Sequence, residues 1–203
     1  MTADGGSTTA GRGRTDQPWL VVIDMQVVFG DPGSEWFTPR FPEIVPAVRR
    51  LVDAFGDRVV YTRFIAPEKP QGSWVPYYEQ WPFALVAPDH PIYEMWPEFP
   101  VGDRSVVSCD TFGKWGGELD EAIRGSREIV LAGVSTDCCV MSTALGAADA
   151  GVHVRVASDA CAGVSDEDHE RALSLMSLYG PLVEVASVDD ILSTPPGARG
   201  SGV

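Results

Sequence analysis

The chain has 203 residues, of which 44% are hydrophobic, and its formal net charge is −14 at pH 7. A chain of this length and composition can bury the core of one globular domain. Its acidity disfavours nucleic acid and anionic membrane surfaces as partners, because like charges repel, and favours a small-molecule substrate.

Both ends of the chain are poor in apolar residues. Residues 1–17 are mainly glycine, serine, threonine and charged residues, and residues 193–203 contain two prolines and three glycines. Such segments cannot bury enough surface to offset their ordering entropy, so we expect disordered tails at 1–17 and 193–203 around a single domain at 18–192. There is no apolar run of about 18 residues and no signal-peptide pattern, which predicts a cytoplasmic protein.

Strand and helix patterns alternate along the folded part. The first strand, Trp19–Ile23, is a continuous apolar run, which is typical of a strand covered on both faces of a parallel sheet. Further strands are predicted at 58–62, 105–108, 128–131, 152–157 and Val183–Ala186, and helices at 43–55, 117–123, 139–150 and 166–179. This alternation predicts an α/β protein, a three-layer α/β/α sandwich around a mostly parallel, Rossmann-like sheet of six strands.

Polar and reactive residues follow several of these strands. In a parallel sheet, functional groups collect beyond the carboxyl ends of the strands. This rule places Asp24, Arg63, residues 109–114 and residues 135–139 along one edge. The candidate site is therefore expected at that edge.

About forty residues after the second strand interrupt the alternation and are rich in proline and aromatic residues. An insertion of this length is expected to form a pocket wall or a subunit contact. Its aromatic residues include Trp74, Tyr78 and Trp81, and Trp115 follows the third strand. These four favour a flat or apolar substrate, although aromatic side chains also simply fill cores and interfaces.

Cys139 is the candidate nucleophile. The segment from Leu131 to Ala144 indicates a buried strand, a tight turn through Gly133 and a helix that begins at the cysteine. A thiol in the first helical turn faces free backbone N–H groups, which favour the thiolate. The alternative is a cysteine that only packs in the core.

Asp24 and Lys114 are the candidate partners of this thiol. Asp24 closes an apolar strand, where a carboxylate is costly unless it is paired or accepts a proton, although it could also cap the following turn. Lys114 is one of only two lysines in the chain and lies just after the third strand. A lone lysine is usually a solvated surface charge, but this position puts its ammonium within reach of the same edge.

No metal or cofactor signature is present. The four cysteines include no C-x-x-C pair, and the three histidines are far apart in sequence. We therefore expect free thiols, no structural zinc, no catalytic metal and no organic cofactor.

Several of these residues also form motifs of a known family. The segment Val22-Ile-Asp-Met-Gln26 with Phe29, the segment Gly133-Val-Ser-Thr-Asp-Cys-Cys-Val140, and Asp159-Ala160 with His169 stand in the same order in the isochorismatase-like cysteine hydrolases. The sequence resembles this family, which includes nicotinamidases and N-carbamoylsarcosine amidohydrolase. The resemblance covers nearly all of the folded part.

The resemblance implies roles for individual residues. Asp24, Lys114 and Cys139 correspond to the family's Asp-Lys-Cys triad, and Cys138 falls at a variable position. It also implies a cis peptide between Val134 and Ser135, with the Ser135 and Cys139 amides as an oxyanion hole. Together with the residues singled out above, the motifs give the candidate substrate contacts Gln26, Phe29, Arg63, Trp74, Tyr78, Trp81 and Trp115, and a homo-oligomer is expected with the aromatic insertion near a subunit contact.

Two departures from the family pattern bear on function. The family's lysine usually lies upstream of Phe112, where this chain has Cys109, so Lys114 is assigned by scarcity and proximity. Nicotinamidases carry an Asp-x-His metal segment after the second strand, whereas residues 62–67 contain no histidine, which disfavours nicotinamide. Arg63 could instead meet a substrate carboxylate, or lie on the surface.

The hypothesis is hydrolysis of an amide or ureido C–N bond through a thioester on Cys139. Asp24 would accept the thiol proton and pass it to the leaving amine, and Lys114 would keep Asp24 ionised. Two alternatives stay open: a vinyl-ether hydrolase of the isochorismatase type that uses Asp24 without the cysteine, and a catalytically silent binding or assembly protein, which the displaced lysine makes plausible.

Overall fold

A computed structural model of the protein describes residues 17–193. The strands are β1 (Trp19–Ile23), β2 (Val59–Phe64), β3 (Ser105–Cys109), β4 (Glu128–Val134), β5 (His153–Ala162) and β6 (Val183–Ala186). The α-helices are α1 (Val27–Gly30), α2 (Phe41–Phe55), α3 (Trp74–Gln80), α4 (Gly117–Ala122), α5 (Met141–Asp149), α6 (Asp166–Ser177) and α7 (Val188–Ser193). The tails predicted at 1–17 and 193–203 lie outside the described residues, apart from Gln17 and Ser193.

The six strands form one sheet in the order β3-β2-β1-β4-β5-β6, and every neighbouring pair is parallel. Successive strands run outward from β1 on one side and outward from β4 on the other. The strand order therefore reverses between β1 and β4, which is where ligands bind in open parallel sheets. The predicted α/β fold class is confirmed.

The apolar run of β1 is buried because helices cover both faces of the sheet. Leu20 and Val22 pack into one core with α2 and α7. Trp19, Val21 and Ile23 pack into the other core, where α4, α5 and α6 lie. All five residues of β1 are buried, so the strand has a fixed position between the two cores. Asp24, the next residue, therefore lies at the carboxyl edge of the sheet.

Several boundaries differ from the predicted ones. β5 continues to Ala162 through polar Ser158 and Asp159, and the ladder between β4 and β5 shifts register between Leu131 and Gly133. After the shift the two strands stay paired up to Val134 and Ala162, near the candidate site. The hydrophobic pattern of the sequence does not predict this continuation. The short helices α1 and α7 and the insertion helix α3 carry no helical period long enough to be recognised in the sequence.

Candidate active site

Asp24 and Lys114 form a buried ion pair at the strand-order reversal. Lys114 Nζ lies 3.0 Å from Asp24 Oδ2, and both side chains are 0% exposed. The ammonium also donates to the Thr111 carbonyl at 2.8 Å and lies 5.0 Å from the centre of the Phe64 ring. The surface-lysine alternative is therefore wrong. A buried pair contributes little net stability after desolvation, which makes it a candidate for a functional role.

Thr62 fixes the orientation of the Asp24 carboxylate. Its hydroxyl donates to Asp24 Oδ1 at 2.6 Å and accepts the Asp24 backbone N–H at 3.2 Å. Asp24 itself has a φ of 48°, in the left-handed region that few non-glycine residues adopt. The two bonds to Thr62 hold it there, so that one carboxylate oxygen faces β2 and the other faces the ammonium.

Thr143 of α5 connects Lys114 to the turn between β4 and α5. We call this turn, Thr136–Val140, the cysteine turn. Its hydroxyl accepts the Lys114 backbone N–H at 2.9 Å and donates to the Cys139 carbonyl at 2.7 Å. Thr143 is fully buried, so this link is shielded from water. The loop after β3 is thereby tied to the helix that follows the nucleophile, which explains how Lys114 reaches the site.

The cysteine turn follows a cis peptide bond and has the wide geometry of a π-helix. The Val134–Ser135 peptide bond is cis, as the family resemblance implies. Residues Thr136–Val140 form a π-helical turn in which the Cys138 and Val140 N–H groups both donate to the Ser135 carbonyl at 3.1 Å. The helix therefore begins three residues before the predicted start at Cys139, and π turns are frequent at functional sites.

Gly133 allows β4 to pass close to β1. Its φ is 118°, and a Cβ there would overlap the Ile23 carbonyl. We expect Gly133→Ala to lower the free energy of unfolding by at least about 3 kcal/mol, because both the backbone and the contact would be strained. Gly117→Ala is the control, since a Cβ there meets nothing within 4 Å. Equal urea midpoints for the two variants would contradict the assignment.

The Cys139 thiol is buried next to the Asp24–Lys114 pair. Its pKa is raised well above the ordinary value, first by burial and then by the Asp24 carboxylate, and Lys114 opposes the rise only in part. This direction is opposite to the predicted stabilisation of a resting thiolate, because burial of a residue only 4% exposed outweighs the charge of Lys114. Burial alone would lower the pKa of Lys114, but Asp24 and Cys139 outweigh it and the net shift is upward.

Cys138 points to a different partner. Its thiol donates to Asp137 Oδ2 at 3.6 Å, and burial followed by the charge of Asp137 raises its pKa to about 12. The two adjacent thiols thus have different surroundings, Asp24 and Lys114 for one and Asp137 for the other. Only Cys139 is placed with the ion pair.

Six aromatic side chains pack together next to the cluster of Asp24, Lys114 and Cys139. We call them the aromatic wall: Phe29, Trp36, Tyr77, Trp81, Phe83 and Phe112. Trp36 lies at its centre and also meets Phe64, the ring beneath the Lys114 ammonium, at 5.5 Å. The pKa of Tyr77 is raised to about 12, first by burial and then by the charges of the Cys138 and Cys139 thiols. Trp36, Tyr77 and Phe112 were not predicted as site residues.

Of the predicted substrate contacts in the insertion, three belong to or border this wall. Trp81 is a member, and Trp74 packs on Tyr77 and Phe112. Tyr78 is only 2% exposed and packs between the rings of Trp74 and Tyr77. The insertion therefore packs much of its aromatic surface inside the protomer, and the expected subunit contact stays a prediction.

The other predicted contacts have local partners. The Gln26 amide donates to the Phe64 and Tyr93 carbonyls and accepts the Phe64 N–H, so it fastens the insertion to β2. Arg63 donates to Ser108 Oγ at 3.2 Å, on the edge strand. Trp115 packs against Gly146 of α5, and Phe29 stacks on Trp36. Gln26, Arg63 and Trp115 thus have partners within the fold, and their role as substrate contacts stays a prediction.

Between residues 17 and 193 no group of three His, Cys, Asp or Glu side chains is arranged to hold a metal ion. Within the same range no helix has the length and apolar character needed to cross a membrane.

The fold and the Asp24, Lys114 and Cys139 side chains together define a class of protein. It is the class of three-layer α/β proteins with a cysteine in the turn that follows a central strand. Residues 18–190 match the isochorismatase domain, and the chain belongs to this family of hydrolases. The resemblance stated from the motifs is confirmed.

Individual relatives are more distant. The chain is 29% identical over 143 residues to isochorismatase domain-containing protein 2 of Xenopus laevis and 38% identical over 76 residues to the uncharacterized isochorismatase family protein YecD of Escherichia coli O157:H7. These matches take in 69% and 37% of this chain, but only 60% and 39% of the length of the two relatives.

Solved structures share the fold over nearly the whole domain. A cysteine hydrolase from Pseudomonas syringae pv. phaseolicola 1448A superposes with a TM-score of 0.78 at 22% identity, covering 92% of this chain and 97% of that one. The pyrazinamidase of Pyrococcus horikoshii, solved in complex with zinc, gives a TM-score of 0.70 at 27% identity, covering 84% and 99%.

Proposed function

We propose that this protein hydrolyses a C–N bond of a small amide or ureido compound through a thioester on Cys139. The observation that carries the proposal is the fully buried Lys114–Asp24 ion pair, 3.0 Å between Nζ and Oδ2, next to a buried thiol. A carboxylate beside a thiol is placed to act as a general base, and the ammonium stabilises the negative charge of that carboxylate. The same ion pair disfavours the silent alternative, because Lys114 reaches Asp24 despite its displaced position in sequence.

The reaction starts with the neutral thiol. Asp24 accepts the proton from Cys139 Sγ as the sulfur forms a bond to the substrate carbonyl carbon, so a free thiolate need not accumulate. The carbonyl oxygen becomes an oxyanion near the backbone N–H groups of Ser135 and Cys139. Asp24 then gives the proton to the leaving nitrogen, the C–N bond breaks, and ammonia or an amine departs from the thioester.

Water completes the cycle. Asp24, again a carboxylate, accepts a proton from a water molecule that attacks the thioester carbonyl, and the C–S bond breaks to give the carboxylic or carbamic acid. The proton held by Asp24 returns to the Cys139 sulfur. Lys114 stays charged throughout, so each step moves a proton within a cluster whose total charge is nearly constant.

Zinc, which the Pyrococcus horikoshii pyrazinamidase binds, does not fit the residues found here. The stretch after β2, Ile65 to Pro67, offers no histidine or carboxylate, and among residues 17–193 no set of three metal-binding side chains converges. We therefore derive no step through a metal. The aromatic wall instead supports a substrate with a flat or apolar body, held by ring contacts.

A substrate panel tests the proposal. Primary amides, ureido acids and isochorismate should be assayed with the wild type and with Cys139→Ala, and acid-quenched reactions examined by mass spectrometry. We expect turnover of an amide or ureido compound together with an acyl adduct on the peptide that contains Cys139. Activity on isochorismate alone that survives in Cys139→Ala would identify the vinyl-ether alternative, which relies on Asp24.

A further inference from the structure

Asp137 makes three contacts that the proposed reaction leaves unexplained. Its Oδ1 accepts hydrogen bonds from the Ser135 hydroxyl at 2.6 Å and from the Val164 backbone N–H at 3.0 Å. Its Oδ2 accepts the Cys138 thiol at 3.6 Å. One carboxylate thus joins the residue before the cysteine turn, the loop after β5 and the second thiol.

The backbone of Ser135 is the group whose position matters. Ser135 is buried, and no hydrogen bond from its backbone N–H is found among residues 17–193. Buried backbone donors are nearly always paired, so an unpaired one beside a nucleophile is suited to receive a ligand oxygen. The Ser135 hydroxyl, anchored on Asp137, holds this N–H against a fixed part of the fold.

The Asp137 carboxylate, which anchors the Ser135 hydroxyl, is held rigidly because it is closely packed. A Cβ on Gly163 would lie 2.7 Å from Asp137 Oδ1 and 3.0 Å from the His169 backbone nitrogen, so only glycine leaves room for the carboxylate. The neighbouring Thr136 hydroxyl is in turn hydrogen-bonded to His169 Nδ1 of α6 at 2.8 Å. Two consecutive residues of the turn are therefore braced from the β5–α6 side.

We propose that Asp137 is a positioning residue for the hydrolytic reaction: through Oδ1 it fixes the Ser135 N–H where the oxyanion forms, and through Oδ2 it holds the Cys138 thiol on its own side, away from the Asp24–Lys114 pair, so that only Cys139 reacts. This inference rests on the proposed function. It assigns two separate tasks to the two oxygens of one carboxylate, and the tasks can be separated by substitution.

Asp137→Asn and Asp137→Ala distinguish the two tasks. Asparagine keeps a carbonyl Oδ1 that accepts from Ser135 and Val164 but removes the charge, whereas alanine removes both. We expect kcat to fall by about a hundredfold in Asp137→Ala with KM little changed, and by no more than about tenfold in Asp137→Asn, because misplacing an oxyanion donor mainly affects the transition state. Ser135→Ala, which cuts the same bond from the other side, should lose kcat without loss of charge.

The second task has a readout that needs no substrate. Because the charge of Asp137 raises the pKa of Cys138, both Asp137 variants should alkylate Cys138 at lower pH than the wild type. Glu170→Ala, on the exposed side of α6, is the control and should change neither kcat nor this profile.

The outcomes separate the two proposals. Equal losses of kcat in Asp137→Asn and Asp137→Ala, or a wild-type kcat in Asp137→Ala, would overturn the positioning role. An unchanged Cys138 profile in both variants would overturn the second task. If Asp137→Ala does not fold, Ser135→Ala decides, and full activity there overturns the positioning role. Full activity of Cys139→Ala would instead overturn the proposed function, and the Cys138 profile would remain interpretable.

Discussion

Cys139→Ala should reduce hydrolysis of the amide or ureido substrate by at least about a thousandfold, because the covalent step has no sulfur to attack with. Cys138→Ala should keep activity within about threefold, since its thiol faces Asp137 and not the ion pair. The two residues are adjacent cysteines, and each is replaced by alanine. The pair therefore controls for any general disturbance of the turn.

Initial rates and thermal melting of both variants check this prediction. The acyl adduct on the cysteine peptide should disappear in Cys139→Ala and persist in Cys138→Ala. Similar losses in both variants with unchanged melting temperatures would mean that the nucleophile is misassigned. Reactivity of the resting thiol at neutral pH is a poor substitute for this test, because burial raises the pKa of Cys139 even in an active enzyme.

The sheet could be predicted from the sequence because its strands are short apolar runs between helical patterns. Trp19–Ile23 shows this most clearly, since a run with no polar member is stable only when both faces are covered. The placement of Asp24 at the carboxyl edge follows from that strand alone. The continuation of β5 past polar Ser158 and Asp159 does not, because it depends on a register shift between β4 and β5 that no local pattern encodes.

The composition of the site was only partly predictable for a similar reason. Lys114 reaches Asp24 because Thr143, 29 residues further along the chain on α5, holds its backbone, and no local pattern encodes that contact. Trp36 lies in an irregular loop without periodicity, so nothing in the sequence marks it as the centre of the aromatic wall. The ionisation of Cys139 depended on the depth of burial, which tertiary packing decides.

Lys114→Met tests the assignment that rested on the least sequence information. The ammonium partly opposes the upward shift of the Cys139 pKa, so its removal should raise that pKa further. Asp24 would lose the ammonium with which it is paired, and activity should fall by at least about a hundredfold. Stability should fall too, by about 3–5 kcal/mol, because a buried carboxylate is left without its partner.

The loss of stability must be separated from the loss of chemistry. Adding Asp24→Asn to Lys114→Met removes the unpaired charge, so the double variant should regain much of the stability and none of the activity. Lys69→Met, at the exposed lysine, is the matched control and should change neither property. Alkylation of Cys139 by iodoacetamide as a function of pH, followed by mass spectrometry, reports the thiol directly. If the Lys114→Met profile overlays that of the wild type, the ammonium does not act on the sulfur, and the reacting centre is an Asp24–Cys139 pair alone.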